Sequence, residues 1–554
     1  FDYGLTNLFI VFIVTVKTRK IAKTVRLLNK LGVSSLHVSE SNHCSGFRVT
    51  PCSFYDRYID YNEIPYWRSV GAKEDVLRNV NKFFTPLPQD IPDSIFDSLN
   101  SVYDYLERVC KLTSESLTPL TIRSAIKLLP NDTSPGLPYT LEGIKTKGEV
   151  KERLFRDYNT LRKIPPGGFY DYPCSAGIRL ALTKKPDNKP RLVWVYPAVM
   201  ITAESRFFGP LMSKIFSCLL FSWDFSFLRG GVNSLKQFCQ GLTTYGTDVS
   251  GFDASVHPMV INHVFDWICS RFKLSKHDQH DFDVMRHYFI NTPLWYKNRI
   301  YLKRQGVPSG SFFTQTIDSI VNVAYQLELI KSFKRFSVSR MTLEKEFKFL
   351  RVLGDDSLVA LYYEVTLEQF TQAARDLEHH YSVVINVEKG FFRSPESPYA
   401  RTNFLGFDVS LAAPPYLVKP ATLIVAQCIF PEVAEKDAAI SMARLIGIKW
   451  SSGDDPFLLS IVNEFYDLLE LRYPGLQPSD LPKEYQLMFR YVFGRYVPDI
   501  TKYPSDAQVI SRYRDFSDPD VQLAYVCPTY WDYVLRRYKP ADYITSKLVS
   551  NSLA

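Results

Sequence analysis

The sequence predicts an α+β fold, a mixed sheet backed by helices, and three observations predict it. A largely apolar run rich in strand formers, FKFLRVLGDDSLVALY from Phe347 to Tyr362, is broken at its centre by Gly354, Asp355 and Asp356, so it reads as two strands joined by a tight turn. A further strand is expected from Tyr245 to Val249 in TYGTDVSGFDASV, with Asp248 at its end. Helical patterns alternate with these strands, from about Pro258 to Arg271, after Thr314, and from about Leu367 to His380.

With 554 residues, 46% of them hydrophobic, the chain can form several subdomains and a large core, which excludes a disordered protein. The net charge of +8 fits a polyanionic partner without requiring one. Nine cysteines show neither Cys-x-x-Cys nor a repeated spacing, which argues against a zinc module or disulfide scaffold and fits a reducing compartment. His379 and His380 lack cysteines at zinc-type spacing and read as incidental. Leu8 to Val16 is a continuous apolar run followed by Lys17, Arg19 and Lys20. It is too short to span a bilayer, and its charges lie on the wrong side for a signal peptide. A buried β-strand is expected there, with no membrane partner. The chain opens on Phe1 rather than methionine, as expected of a processed or truncated start.

Two ionised aspartates side by side repel, and a buried hairpin tip keeps both only if a cation offsets the repulsion or one is protonated. Asp355 and Asp356 are therefore candidate metal ligands. A second Gly-Asp-Asp, at Gly453, Asp454 and Asp455, serves as a control. In WSSGDDPF its serines, glycine and following proline read as a solvated turn or helix start. Asp248 and Asp253 have four residues between them, and Ser250 and Gly251 let the chain turn. One carboxylate can then reach a metal while the other faces a bound sugar, although either aspartate alone also suits a helix cap. In GVPSGSFFTQTIDSIVN, from Gly306 to Asn322, Pro308, Ser309 and Gly310 form a loop, and Thr314, Asp318 and Asn322 recur every fourth residue on one helix face. A solvated surface capped by Ser309 is the competing interpretation of that stripe.

Taken in order, these segments resemble the viral RNA-dependent RNA polymerases, and within them the partitivirus and picobirnavirus group of double-stranded RNA viruses. Asp248 and Asp253 sit where that family has its first palm motif, GVPSGSFFTQ its second and LGDDS its third. NVEKG at Asn386 to Gly390 resembles the fourth, and TNFLGF at Thr402 to Phe407 the fifth. Upstream, LTKKPDNKPRLVWVYP resembles the basic finger motif that meets the triphosphate, and TSPGLPY at Thr133 to Tyr139 the motif at the template entrance. The matched motifs span residues 133 to 407.

The resemblance implies a right-hand polymerase with closed fingers and thumb, its palm a mixed or antiparallel sheet backed by helices. Residues 1–70 would bridge fingers and thumb, 71–200 and 279–304 would form fingers, 201–278 and 305–412 palm, and 413–554 thumb. The implied activity is RNA-directed RNA synthesis, replicating and transcribing a viral double-stranded RNA genome by two-metal nucleotidyl transfer. Asp248 and Asp355 would bridge two Mg²⁺ ions with Asp356 as an outer ligand, and Mn²⁺ would substitute. Lys389 would protonate the leaving pyrophosphate, with a surface lysine before Gly390 as the alternative. Arg179, Lys184, Lys185 and Arg191 would meet the nucleotide's phosphates, Arg191 foremost because a guanidinium grips phosphate as a fork. A solvated basic hairpin is the alternative for these cations.

Asp253, Ser309, Gly310, Thr314 and Asn322 would surround the nucleotide and sense its 2′-hydroxyl, and Ser134, Pro135 and Gly136 would touch template. Many relatives carry asparagine at position 318. An aspartate there facing Asp253 would be protonated, turned away, or replaced in its role by Asn322. The expected partners are template and nascent RNA, ribonucleoside triphosphates and viral capsid protein, in the virion interior or host cytoplasm. Two competing functions are a non-catalytic RNA-binding structural protein of a virion core and a reverse transcriptase. The latter's hairpin usually begins with an aromatic and a variable residue, where this chain has Leu353 and Gly354. Near the C-terminus, Tyr491, Arg495, Tyr496, Tyr513, Arg514, Tyr530, Trp531, Tyr533, Arg536, Arg537 and Tyr538 are expected to be mostly core, with a share lining an RNA channel or priming platform.

Overall fold

The computed structural model describes residues 3–42, 52–55, 59–223, 225–334, 341–395, 401–411, 416–432, 435, 437–478, 501–514, 527 and 529–537. Its strands are β1 (Ser35–Asn42), β2 (Tyr66–Arg68), β3 (Cys174–Leu180), β4 (Leu182–Lys184), β5 (Pro190–Val195), β6 (Thr244–Gly246) and β7 (Pro293–Leu302). The chain continues with β8 (Phe347–Leu353), β9 (Asp356–Leu361), β10 (Phe391–Arg393), β11 (Arg401–Phe404), β12 (Phe407–Ser410) and β13 (Tyr416–Val418). Helix and sheet are mixed, as expected. One four-stranded sheet, in the order β10-β6-β9-β8, is antiparallel throughout. The other, β1-β7-β3-β5, is mixed because β3 and β7 run parallel.

The Asp-Asp segment forms the expected hairpin. Phe347, Phe349, Leu350 and Val352 on β8 and Leu358 through Leu361 on β9 are buried. A strand covered on both faces reads as a continuous apolar run rather than an alternating one, which is why this segment shows no polar face. Its cover comes partly from the helix Thr314–Lys334 and partly from Tyr530 and Trp531 of the helix Tyr530–Arg537. Tyr530 donates to the Leu219 carbonyl at 2.6 Å, and Trp531 Nε1 to the Phe347 carbonyl at 2.9 Å. The expected helices are present at Pro258–Ser270, Thr314–Lys334 and Leu367–Tyr381.

Three expectations need correction. Leu8 to Val16 is not a strand but part of one helix, Tyr3–Leu31. Ile21, Val25 and Leu28 recur at helical spacing on its buried face, and the helix extends back through the apolar run, for which no strand partner exists among the described residues. The second Gly-Asp-Asp does start a helix, since Asp455 accepts from Phe457 N at 2.9 Å. It is not solvated, however: Asp454 is buried, because Arg514 neutralises it at 2.7 Å. The stripe Thr314–Asp318–Asn322 is not a solvated face either, since Asp318 and Asn322 are both buried.

Among the C-terminal aromatics, Tyr513, Tyr530 and Trp531 are core. Tyr533, Arg536 and Arg537 belong to the helix Tyr530–Arg537, while Tyr491, Arg495, Tyr496 and Tyr538 lie outside the described residues. Cys52, Cys174, Cys218, Cys239, Cys269 and Cys428 are free cysteines. His379 and His380 are exposed at the end of their helix. Among the described residues, no helix is long and apolar enough to cross a membrane.

The N-terminal segment touches distant parts of the chain. β1 pairs with β7, and β2 with β4. Cys52, Tyr55 and Ile64 pack into a core formed with the helices Ala421–Ile429, Ala438–Ser451 and Pro456–Arg472.

Candidate active site

Register brings the acidic residues together. β6 pairs with β9 through Thr244–Ala360 and Tyr245–Val359, and Thr247 extends the match by bonding Ser357, its N to Oγ at 3.2 Å and Oγ1 to Oγ at 2.8 Å. The next step of that register sets Asp248 across from Asp356. Asp355 occupies the two-residue turn with Gly354, whose φ of +60° suits the first position of such a hairpin. The hairpin is buried, as expected, but its tip is not: Asp355 and Asp356 reach solvent, and Asp248 is half-buried.

The two hairpin carboxyls are nonetheless hemmed in by protein. Desolvation first, then the charges of Asp355 and Asp248, push Asp356 up to about 6. Asp355 is raised by desolvation and by Asp248, against backbone hydrogen bonds and the charge of Arg191. Asp248 is fixed from the other side by NVEKG, where Asn386 N donates to its carbonyl at 2.8 Å. Asn386 Oδ1 accepts from Lys389 N at 3.0 Å, leaving the Lys389 side chain exposed and electrostatically linked to Asp187 on the β4–β5 loop.

Asn322 does not face a ligand. Its Nδ2 donates to the carbonyls of Gly354 and Asp355, both at 2.9 Å, and its Oδ1 accepts from Gln326 at 2.8 Å. The amide is thus spent on the hairpin turn, which corrects its expected place against the sugar. Asn322→Ala would strand these buried carbonyls and cost on the order of 1–3 kcal/mol. Urea unfolding checks this, and an unchanged midpoint would contradict it.

Two of the sugar-side candidates meet directly. Ser309 Oγ donates to Asp253 Oδ2 at 2.5 Å. Thr314 Oγ1 turns inward to the carbonyls of Pro308 and Ser311, at 2.8 and 3.0 Å. Burial, then the charges of Asp253 and Asp355, hold the Asp318 carboxyl well above the usual range. Gly310 lies against β5: Trp194 N donates to the Ser309 carbonyl at 2.8 Å, and a Cβ on Gly310 would meet the Trp194 carbonyl oxygen at 2.1 Å.

One residue escaped sequence reasoning. Glu204, fully buried in the helix Ala198–Ile215, accepts from Ser311 Oγ and Phe312 N, both at 2.8 Å, and so holds the Ser-Gly loop. The available signal was the single acidic residue of that helix, set between the apolar runs Ala198–Ile201 and Phe207–Phe208. Burial pushes its carboxyl up to about 8 from 4.5, despite both hydrogen bonds. The folded protein therefore retains a proton that the unfolded chain releases, and stability falls as pH rises from about 4.5 to about 8. Glu204→Gln, an isostere of the neutral acid, should remove a fall on the order of a few kcal/mol. Urea unfolding at pH 5 and pH 8 measures it, and parallel profiles for the two proteins would refute the assignment.

The basic ribbon divides. Arg191 on β5 is exposed, and its charge acts on Asp253, Asp355 and Asp356. Arg179, its direct cross-strand neighbour, pairs instead with Glu432. Lys185 is directed to the Tyr61 carbonyl at 3.2 Å, and Lys184 is exposed on β4. The template candidates are also mostly structural. Pro135 and Gly136 are buried, Pro135 O accepts from Ala198 N at 2.8 Å, and a Cβ on Gly136 would meet Tyr196 O at 2.3 Å. Lys147 pins the segment through Thr133 Oγ1 and the Ser134 carbonyl, each at 2.8 Å. Only Ser134 of the three is partly exposed.

Known proteins match this sequence. Residues 86–419, more than half of the chain, match the family described as viral RNA-dependent RNA polymerase. The chain is 25% identical over 520 residues to the RNA-directed RNA polymerase of Cryptosporidium parvum virus 1 (strain KSU-1), covering 89% of this chain and 95% of that protein. It is 24% identical over 338 residues to the RNA-directed RNA polymerase of Atkinsonella hypoxylon virus (isolate 2H), covering 51% of this chain and 48% of that protein. The chain belongs to the viral RNA-dependent RNA polymerase family. It is an enzyme of RNA replication, an RNA-directed nucleotidyltransferase.

Proposed function

We propose that the chain copies viral RNA, replicating and transcribing a double-stranded genome, with Asp248, Asp355 and Asp356 as the residues that hold the divalent ions of the reaction. The observation that carries this reading is the β6–β9 register, which sets Asp248 across from Asp356 and beside the Asp355 turn. The donor set fits Mg²⁺: three hard oxygen ligands, the two on the hairpin raised by their neighbours, and no lysine or arginine ion-paired to any of them among the described residues. Among the described residues no three or more His, Cys, Asp or Glu side chains converge closely enough to hold a metal ion by themselves; Mg²⁺ keeps several waters and shares substrate phosphates, so it binds through fewer protein ligands. When bound, two such ions activate the attacking 3′-hydroxyl and neutralise the leaving pyrophosphate; Mn²⁺ supplies the same chemistry.

The protein's own residues position the rest. Arg191 meets the triphosphate as a fork, Asp253 and Ser309 present a polar pair to the ribose, and the exposed Lys389 supplies a proton to the leaving group. Thr314 and Asn322 act behind them, holding the loop and the hairpin. The sheet β10-β6-β9-β8 with its helices serves as the palm of a right-hand polymerase, the sheet β1-β7-β3-β5 as part of the fingers, and the helices from Ala421 onward as the thumb. The N-terminal segment joins the last two. Template and nascent RNA and ribonucleoside triphosphates are the substrates, and a capsid protein is the proposed partner in the virion interior or host cytoplasm. The test is ribonucleotide incorporation on single-stranded RNA, comparing wild type with Asp355→Ala. Equal signal from both would overturn the reading.

A further inference from the structure

β3 and β5 place two arginines, Arg179 and Arg191, directly opposite each other. Like charges facing across a strand pair repel, and here one carboxylate from outside the sheet offsets them. Glu432, just beyond the helix Ala421–Ile429, takes the Arg179 guanidinium in a fork, with Nε on Oε1 and Nη2 on Oε2, the latter at 3.2 Å. The backbone that leads into Glu432 is pinned. Arg68 donates to the carbonyls of Phe430 at 2.8 Å and Pro431 at 3.0 Å, and to Leu180 of β3 at 3.2 Å. Arg444 holds Glu435 at 2.6 Å and the Cys428 carbonyl at 2.9 Å. The pinned frame makes the carboxylate's position a feature of the fold. The pair itself faces solvent, with the side chains of Arg179 and Glu432 60% and 46% exposed.

We infer that Glu432 is a place-holder for a nucleotide phosphate: its carboxylate occupies the fork of Arg179 until an incoming triphosphate displaces it. The inference rests on the proposed nucleotide role of the β3–β5 ribbon. A carboxylate and a phosphate offer a guanidinium the same pair of acceptor oxygens, and the phosphate carries more charge. Arg191 links the two ends of the path, since its charge acts on the hairpin aspartates and on Glu432 alike. Against desolvation, the hydrogen bond to Arg179 and the charges of Arg179, Arg68 and Arg191 hold the Glu432 carboxyl below its ordinary range. It therefore stays ionised and competes. Because the flanking backbone is anchored, displacement needs only a side-chain swing. An occupied fork also keeps stray anions off Arg179 between nucleotides.

The test uses the full chain, without RNA, titrated calorimetrically with inorganic tripolyphosphate and separately with a ribonucleoside triphosphate. Glu432→Gln should lower Kd about two- to fivefold, the range an exposed ion pair is worth, and lower KM in steady state. Arg179→Gln should weaken binding, and Glu432→Gln should then add nothing in that background. Unchanged or weaker binding by Glu432→Gln, or the same gain without Arg179, would overturn the inference. If Glu432→Gln fails to fold, Glu432→Asp, whose shorter reach loosens the fork, is held to the same directions. Polyphosphate binding is measured apart from the incorporation assay, so failure here and failure of the polymerase reading are distinguishable.

Discussion

Asp355→Ala is expected to lose at least about three orders of magnitude in nucleotide incorporation, roughly 4 kcal/mol of barrier, while its unfolding midpoint holds or rises. The two halves have one cause. Desolvation and neighbouring acids raise the carboxyls of Asp355 and Asp356, so their ionised forms cost the fold stability in the absence of a cation. For Asp356 that cost appears as pH rises from 3.8 through about 6 and is fully present above it. On the proposed assignment, removing Asp355 removes both a metal ligand and a source of repulsion. Added Mg²⁺ should raise the wild-type midpoint, because a ligand that binds only the folded state stabilises it, and should raise that of Asp355→Ala far less. Thermal unfolding with and without Mg²⁺ reads this independently of turnover. A large drop in midpoint with Asp355→Ala would mean that the aspartate is structural and the site assignment is wrong.

Gly310→Ala is expected to be the most damaging single change in the Ser-Gly loop. The backbone there takes φ +137°, and the added Cβ would lie 2.1 Å from the Trp194 carbonyl oxygen. Neither the glycine backbone nor the β5 backbone is free to give, since Trp194 N is bonded to Ser309 O. Strain and overlap together cost on the order of 3 kcal/mol or more. The loop can relieve them only by drawing Ser309 away from Asp253. Urea denaturation should show the loss, with ribonucleotide incorporation falling alongside it. A variant of wild-type stability would show that the contact with β5 is not obligatory.

The carboxylate sheet was legible because its signals are local. A two-residue turn between apolar runs, a strand end and a four-residue helical stripe each declare themselves within about twenty residues. What stayed hidden depends on partners far along the chain. Nothing near Asn322 announces that its amide closes on Gly354 and Asp355, because that contact exists only once the helix packs on the hairpin. Arg179 and Arg191 look equivalent in sequence, and only Glu432, some 250 residues away, separates them. The segment Leu8 to Val16 misled for the opposite reason: its local strand propensity is real, and the longer helical period of Tyr3–Leu31 overrides it. Asp454 likewise owes its burial to Arg514, beyond the window in which a turn is read.

The seating of Tyr530 and Trp531 on β8 also governs when a newly made chain becomes competent. The carbonyls of Phe347 and Leu219 wait for donors encoded almost two hundred residues or more downstream, so the Asp-Asp hairpin is left without part of its cover until ribosomes have passed position 531. Fragments released before that point would carry every acidic residue of the centre and still lack the buttress beneath it.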